Sequence, residues 1–104
     1  MIRAAFLAVF LASPAAAAPH VNAVYLKGLC SFDQPLDRQL YCGAYAAGVV
    51  DAGATDGKAC VPERFVLDQM VKALSDYFAD FEPSPSMTGQ AAVIHAAARA
   101  FPCP

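Results

Sequence analysis

Tryptophan is absent, histidine occurs only twice, and charged residues make up 15% of the 104. Each shortage excludes something. The four cysteines contain no C-x-x-C pair, their spacings being twelve, eighteen and forty-three, so the ligand pattern of a zinc site is missing. No glycine-rich loop of the phosphate-cradling kind occurs. No serine sits in a nucleophile elbow, and Ser84 and Ser86 lie among prolines. Lys and Arg number seven against nine Asp and Glu, which lacks the basic surplus that nucleic acid or an anionic membrane would attract. No catalytic, cofactor or metal site is expected. The chain reads as a binding or structural protein rather than an enzyme.

What is present begins with "MIRAAFLAVFLASPAAAA". It has one positive charge at Arg3, an uninterrupted apolar run over Ala4 to Ala12, and then small residues. This is the pattern of a secretory signal peptide over residues 1–17, with cleavage expected after Ala17. A membrane anchor would need roughly 20 apolar residues, and Ser13 and Pro14 break the run. Without Arg3, six basic residues face nine acidic ones, a net charge of −3 with histidines neutral.

Residues 18–104 are then one small domain. A chain of this size buries only about 60–65% of its unfolded surface and needs reinforcement. All four cysteines fall in this exported part, and an even count there predicts two disulfides.

Apolar periodicity predicts four helices and no strand. The first spans 21–30, with Val21, Val24, Tyr25 and Leu29 on one face. Pro35 suits the first turn of the second, with Asp33 or Gln34 as cap. That helix reaches about Ala52 and carries two apolar stripes, Leu36, Leu40, Ala44, Ala47 and Val50, and Tyr41, Tyr45 and Val49. A helix apolar on more than one side is expected at the centre of a bundle. Gly43 and Gly48 within it fit either close backbone approach or simple tolerance of glycine in a buried helix. "DAGATDGKACVPE" is a loop. The third helix, 66–81, keeps Leu67, Met70, Val71, Leu74, Tyr77, Phe78 and Phe81 at helical spacing. After "EPSPS", Ser86 or Thr88 caps a fourth helix running to about Ala100, with Met87, Ala91, Ile94, Ala98 and Phe101 facing inward. The fold class is all-α, a four-helix domain.

With the third and fourth helices antiparallel, the start of one lies beside the end of the other. This favours Cys60–Cys103 and leaves Cys30–Cys42, although four cysteines allow two other pairings. His95 has no second His, free Cys or carboxylate at i±3 or i±4, so it reads as a structural or surface histidine. Asp76 and Asp80 lie opposite the apolar stripe of the third helix, as a solvated face.

The order and spacing of "LC", "YCGAYAAGVVDA", "CVPE", "DQMVKAL" and "AARAFPCP" resembles the Rap/Tai type of immunity protein that accompanies type VI secretion effectors. The resemblance implies an all-helical periplasmic homodimer that binds a peptidoglycan amidase and obstructs its substrate cleft. By position, Cys30, Cys42, Cys60 and Cys103 match the family's cysteines, Tyr41, Gly43, Tyr45, Gly48 and Asp51 its second helix, Gln69 its third, and Phe101 and Pro102 its ending. Two departures stand out: Val66 replaces a capping threonine, and "FADFEPSPSM" replaces a histidine–proline–glutamate corner. Partner contacts are expected from exposed loops, at Thr55, Asp56 and Lys58 and at Glu82, Ser84, Ser86 and Met87. The alternative is a stand-alone periplasmic stress protein, of the acid-chaperone kind, with no toxin partner.

Overall fold

The computed structural model describes residues 21–64 and 66–104. Four helices follow in order: α1 (Ala23–Leu29), α2 (Leu36–Asp51), α3 (Leu67–Asp80) and α4 (Gly89–Ala100). The domain is all-α, as the periodicity predicts. The expected leader and its cleavage site lie outside the described residues.

Two of the helices start on side-chain caps. Asn22 Oδ1 accepts the Tyr25 N–H at 2.8 Å, and Thr88 Oγ1 accepts the Ala91 N–H at 3.0 Å. Each satisfies an N–H that the first turn leaves unpaired. Thr88, not Ser86, is therefore the cap of α4. The two cap residues also face one another across an isolated antiparallel bridge. In it Ala23 N–H donates to the Met87 carbonyl at 2.9 Å, and Gly89 N–H to the Val21 carbonyl at 2.8 Å. Such closeness requires glycine at 89, where a Cβ would stand 2.9 Å from both the Tyr45 hydroxyl and the Val21 carbonyl oxygen.

The other two helices start without a capping oxygen. At α2 the cap position is Pro35 with no side-chain bond, so neither Asp33 nor Gln34 caps it. Instead Gln39 reaches back, its Nε2 donating to the Gln34 carbonyl at 2.7 Å and the Phe32 carbonyl at 3.2 Å. At α3, the Val66 side chain carries no oxygen; the Gln69 N–H donates to the Val66 backbone carbonyl at 2.9 Å instead, and Gln69 Oε1 accepts the Val66 N–H at 3.1 Å.

The core gathers Leu26 and Leu29 from α1, Met70, Val71, Leu74 and Phe78 from α3, and Val93 with small residues from α4. The central helix is α3, which packs against both α2 and α4. This corrects the expectation that α2 is central. It buries only Cys42, Gly43 and Ala46, while Leu36, Leu40 and Tyr41 are 68%, 48% and 48% exposed. The physical reason is the close approach itself. A Cβ on Gly43 would lie 3.0 Å from Leu67 Cβ, so the contact admits small side chains and leaves large ones outside. Gly48, by contrast, has nothing within 4 Å of such a Cβ, so it marks no close approach.

The buried face of α4 is also rotated from expectation. Ala92, Val93, Ala96 and Ala97 are buried, whereas Met87, Ala91, Ile94, Ala98 and Phe101 are half-buried along its edges. In a helix made largely of alanine, the large residues do not mark the inner face. Phe81, expected inward, is 51% exposed.

Both disulfides pair as favoured, Cys30 with Cys42 and Cys60 with Cys103. The first ties the end of α1 to α2. The second ties the α2–α3 connection to the C-terminal end, where Cys60 N–H also donates to the Phe101 carbonyl at 2.8 Å.

Candidate partner-binding surfaces

The α2–α3 connection is a succession of turns. Gly53 and Gly57 adopt φ of 86° and 77°, a conformation that costs other residues strain. Thr55 carbonyl accepts the N–H groups of Lys58 at 3.0 Å and Ala59 at 3.1 Å, folding the loop down onto the domain. As a result Thr55 is 3% exposed and Ala59 9%, while Asp56 and Lys58 are exposed. The expectation that Thr55 is an open contact residue is thus corrected. A hydroxyl on a short side chain fits beneath a tight turn, and Thr55 serves as the anchor on which its neighbours stand.

The α3–α4 corner has the same construction. Pro83 is buried and Met87 half-buried against the core, with Glu82, Ser84 and Ser86 exposed between them. Met87 therefore has a packing duty, and its carbonyl binds α1. The Ser84 carbonyl accepts the Met87 N–H at 3.1 Å, and the Ser84 and Ser86 hydroxyls lie 3.2 Å apart. Lys27 Nζ meets Glu82 Oε1 at 2.7 Å, tying the corner to α1.

The two loops sit at opposite ends of α3, since one precedes the helix and the other follows it. Fourteen residues at a rise of about 1.5 Å each separate them by roughly 20 Å. The sequence-based candidates thus fall into two groups that no single small contact can unite.

Beside the corner lies a cluster the sequence reading did not assemble. Arg99 stands over the Phe81 ring, 5.3 Å from its centroid, Phe81 stacks on Tyr77 at 5.0 Å, and Tyr77 stacks on His95 at 6.3 Å. Arg99 also pairs with Asp80, and Lys72 Nζ meets Asp76 Oδ2 at 2.8 Å. A search for partners of His95 on its own helix misses Tyr77, which comes from α3. The usable signal is the matched spacing, Tyr77 on α3 and Phe81 at its C-terminal cap against His95 and Arg99 on the antiparallel α4. Below this cluster runs an open groove of about 340 Å³ between α3 and α4, floored by Ala73, Ala96 and Ala100 and edged by Asp76 and Asp80. Its acids are already paired, and its floor carries no reactive group. Among the described residues no three His, Cys, Asp or Glu side chains gather as a metal site.

On the far side, Val24 and Tyr25 of α1, Phe32 of the connecting turn, and Leu36, Leu40 and Tyr41 of α2 are all about half exposed or more. Tyr25 and Tyr41 meet edge to face at 6.4 Å, joining the two helices into one apolar face. Next to it, burial raises the pKa of the Tyr45 hydroxyl above the ordinary tyrosine value, with the nearby Tyr41 adding to the effect. No described helix is long and apolar enough to cross a membrane.

No curated protein and no solved structure gives a match, but the family model described as Rap1a immunity proteins matches residues 22–103. That span takes in all four helices, both loops and both disulfides, and the chain belongs to the family of Rap1a immunity proteins.

Proposed function

We propose that this immunity protein acts in the periplasm, reached by way of a signal peptide over residues 1–17, and neutralises a peptidoglycan amidase effector of type VI secretion by blocking its substrate cleft. The observation that carries the reading is the family match over 22–103. Two disulfides suit an oxidising compartment, and the leader pattern suits export.

In this reading the α3–α4 corner enters the cleft. Glu82, Ser84 and Ser86 provide the contacts, held from below by Pro83 and Met87 and from the side by Lys27. A corner already fixed in shape loses little conformational entropy on binding. Asp56 and Lys58 make a second, peripheral contact, with Thr55 as their support. The protein pairs as a homodimer through the apolar face of α1 and α2. Asp37 and Arg38 adjoin that face in sequence and supply opposite charges, which a two-fold arrangement can set against each other.

The test uses the oxidised mature domain and a peptidoglycan amidase encoded beside it. Stoichiometric inhibition of cell-wall hydrolysis is expected, lost when residues 82–87 are replaced by Gly/Ser and weakened when 55–58 are. Full inhibition by both loop variants would rule out these contacts, and no inhibition by the parent domain would rule out the amidase. Mass spectrometry of a periplasmic fraction should give an N-terminus at Ala18.

A further inference from the structure

The two disulfides differ in what governs thiol exchange. Cys30 and Cys42 are 2% and 0% exposed and belong to the core cluster with Leu26, Met70 and Leu74. Cys60 and Cys103 are both exposed and lie outside every helix. Exchange requires a thiolate to approach a disulfide sulfur, so its rate follows access. A buried bridge must wait for the surrounding structure to open, and core elements open least often.

From this asymmetry we propose that Cys60–Cys103 is a redox latch. A dithiol reductant opens it while Cys30–Cys42 stays closed, and its opening frees the α2–α3 connection from the C-terminal end without dissolving the helical core. One thiolate of the dithiol attacks the Cys103 sulfur, the Cys60–Cys103 bond breaks, and Cys60 leaves as a thiolate that takes a proton from solvent. The second thiol, deprotonated, then attacks the mixed disulfide. Cys103 departs and is protonated in turn, and the dithiol becomes a disulfide, having supplied both electrons. The core has little stake in the bridge. Among the described residues of the connection, only Thr55 and Ala59 are buried, and the remaining direct tie at Cys60 is its hydrogen bond to the Phe101 carbonyl. The freed segment carries Asp56 and Lys58, so a consequence for binding rests on the partner reading above. The latch itself does not.

The experiment treats the oxidised domain with dithiothreitol under native conditions, quenches aliquots with iodoacetamide, maps the alkylated peptides by mass spectrometry and follows helicity by circular dichroism. Cys60 and Cys103 are expected to be alkylated about tenfold faster than Cys30 and Cys42, or more, as access dictates, with helicity retained while only the first pair is open. Equal rates, or helicity lost in step with the first pair, would overturn the proposal. A Cys60→Ser, Cys103→Ser variant gives a second reading. A helical variant with Cys30–Cys42 still resistant is expected, and an unfolded one counts against the latch. No toxin enters either measurement, so failure here leaves the partner reading untouched.

Discussion

Helices α2 and α3 look alike in sequence and do opposite work. Each is long and rich in large apolar residues, yet α3 buries Met70, Val71, Leu74 and Phe78 while α2 leaves Leu36, Leu40 and Tyr41 in solvent. The difference lies in how charge is distributed. Asp68, Lys72, Asp76 and Asp80 define an outer face for α3, so its large residues have one direction to go. The long uncharged stretch of α2 defines none, and small residues at Cys42, Gly43 and Ala46 decide its contact instead. Hydrophobicity therefore says that a helix has something to cover. It does not say whether the domain's own core covers it.

The strongest test of this contrast swaps one leucine on each helix. Leu74→Ala should destabilise the domain by about 2–5 kcal/mol in chemical denaturation, the usual cost of emptying a packed leucine site. Leu40→Ala should move monomer stability by no more than about 0.5 kcal/mol. Comparable losses would mean that α2 contributes to the core after all.

A finer test uses the two glycines of α2. Gly48→Ala meets nothing and should raise stability by up to about 1 kcal/mol through helix propensity. Gly43→Ala meets Leu67 Cβ at 3.0 Å, an atom fixed to the first turn of α3, and should lower stability by about 1 kcal/mol or more. Melting temperatures that shift the same way in both variants would remove the close approach as the reason for glycine at 43.

The smallest effect concerns the start of α3. Val66→Thr supplies the missing capping oxygen opposite the bond that Gln69 already makes, and should stabilise by about 0.5–1 kcal/mol. The same measurement on a Gln69→Ala background should show a smaller gain if the two bonds reinforce each other as a capping box does.

Much of this fold is legible in the chain because its signals are local. Pro35, Thr88 and the prolines at 83 and 85 mark helix ends, the period of α3 marks its face, and antiparallel geometry favours the two disulfides. What escapes is what depends on two helices at once. The alanines of α4 are interchangeable in hydropathy, so its inner face is set by the surface of α3. The burial of Thr55 follows from turns that Gly53 and Gly57 permit, not from the polarity of threonine. The cluster of Tyr77, Phe81, His95 and Arg99 is invisible to any search along one helix. For the candidate contacts, sequence places the two loops on either side of α3 but does not show that Thr55 and Met87 within them pack inward.

The bridge between Asn22 and Thr88 also bears on the order in which contacts close. Val21 and Ala23 make backbone bonds with Gly89 and Met87, so the first helix acquires that neighbour only once almost the whole chain has been made. Cys30 and Cys42, twelve residues apart, can meet long before. Contacts this distant along the chain are slow to close, so the joining of α1 to α2 carries the smaller loop-closure cost and the seating of α1 on the start of α4 the larger.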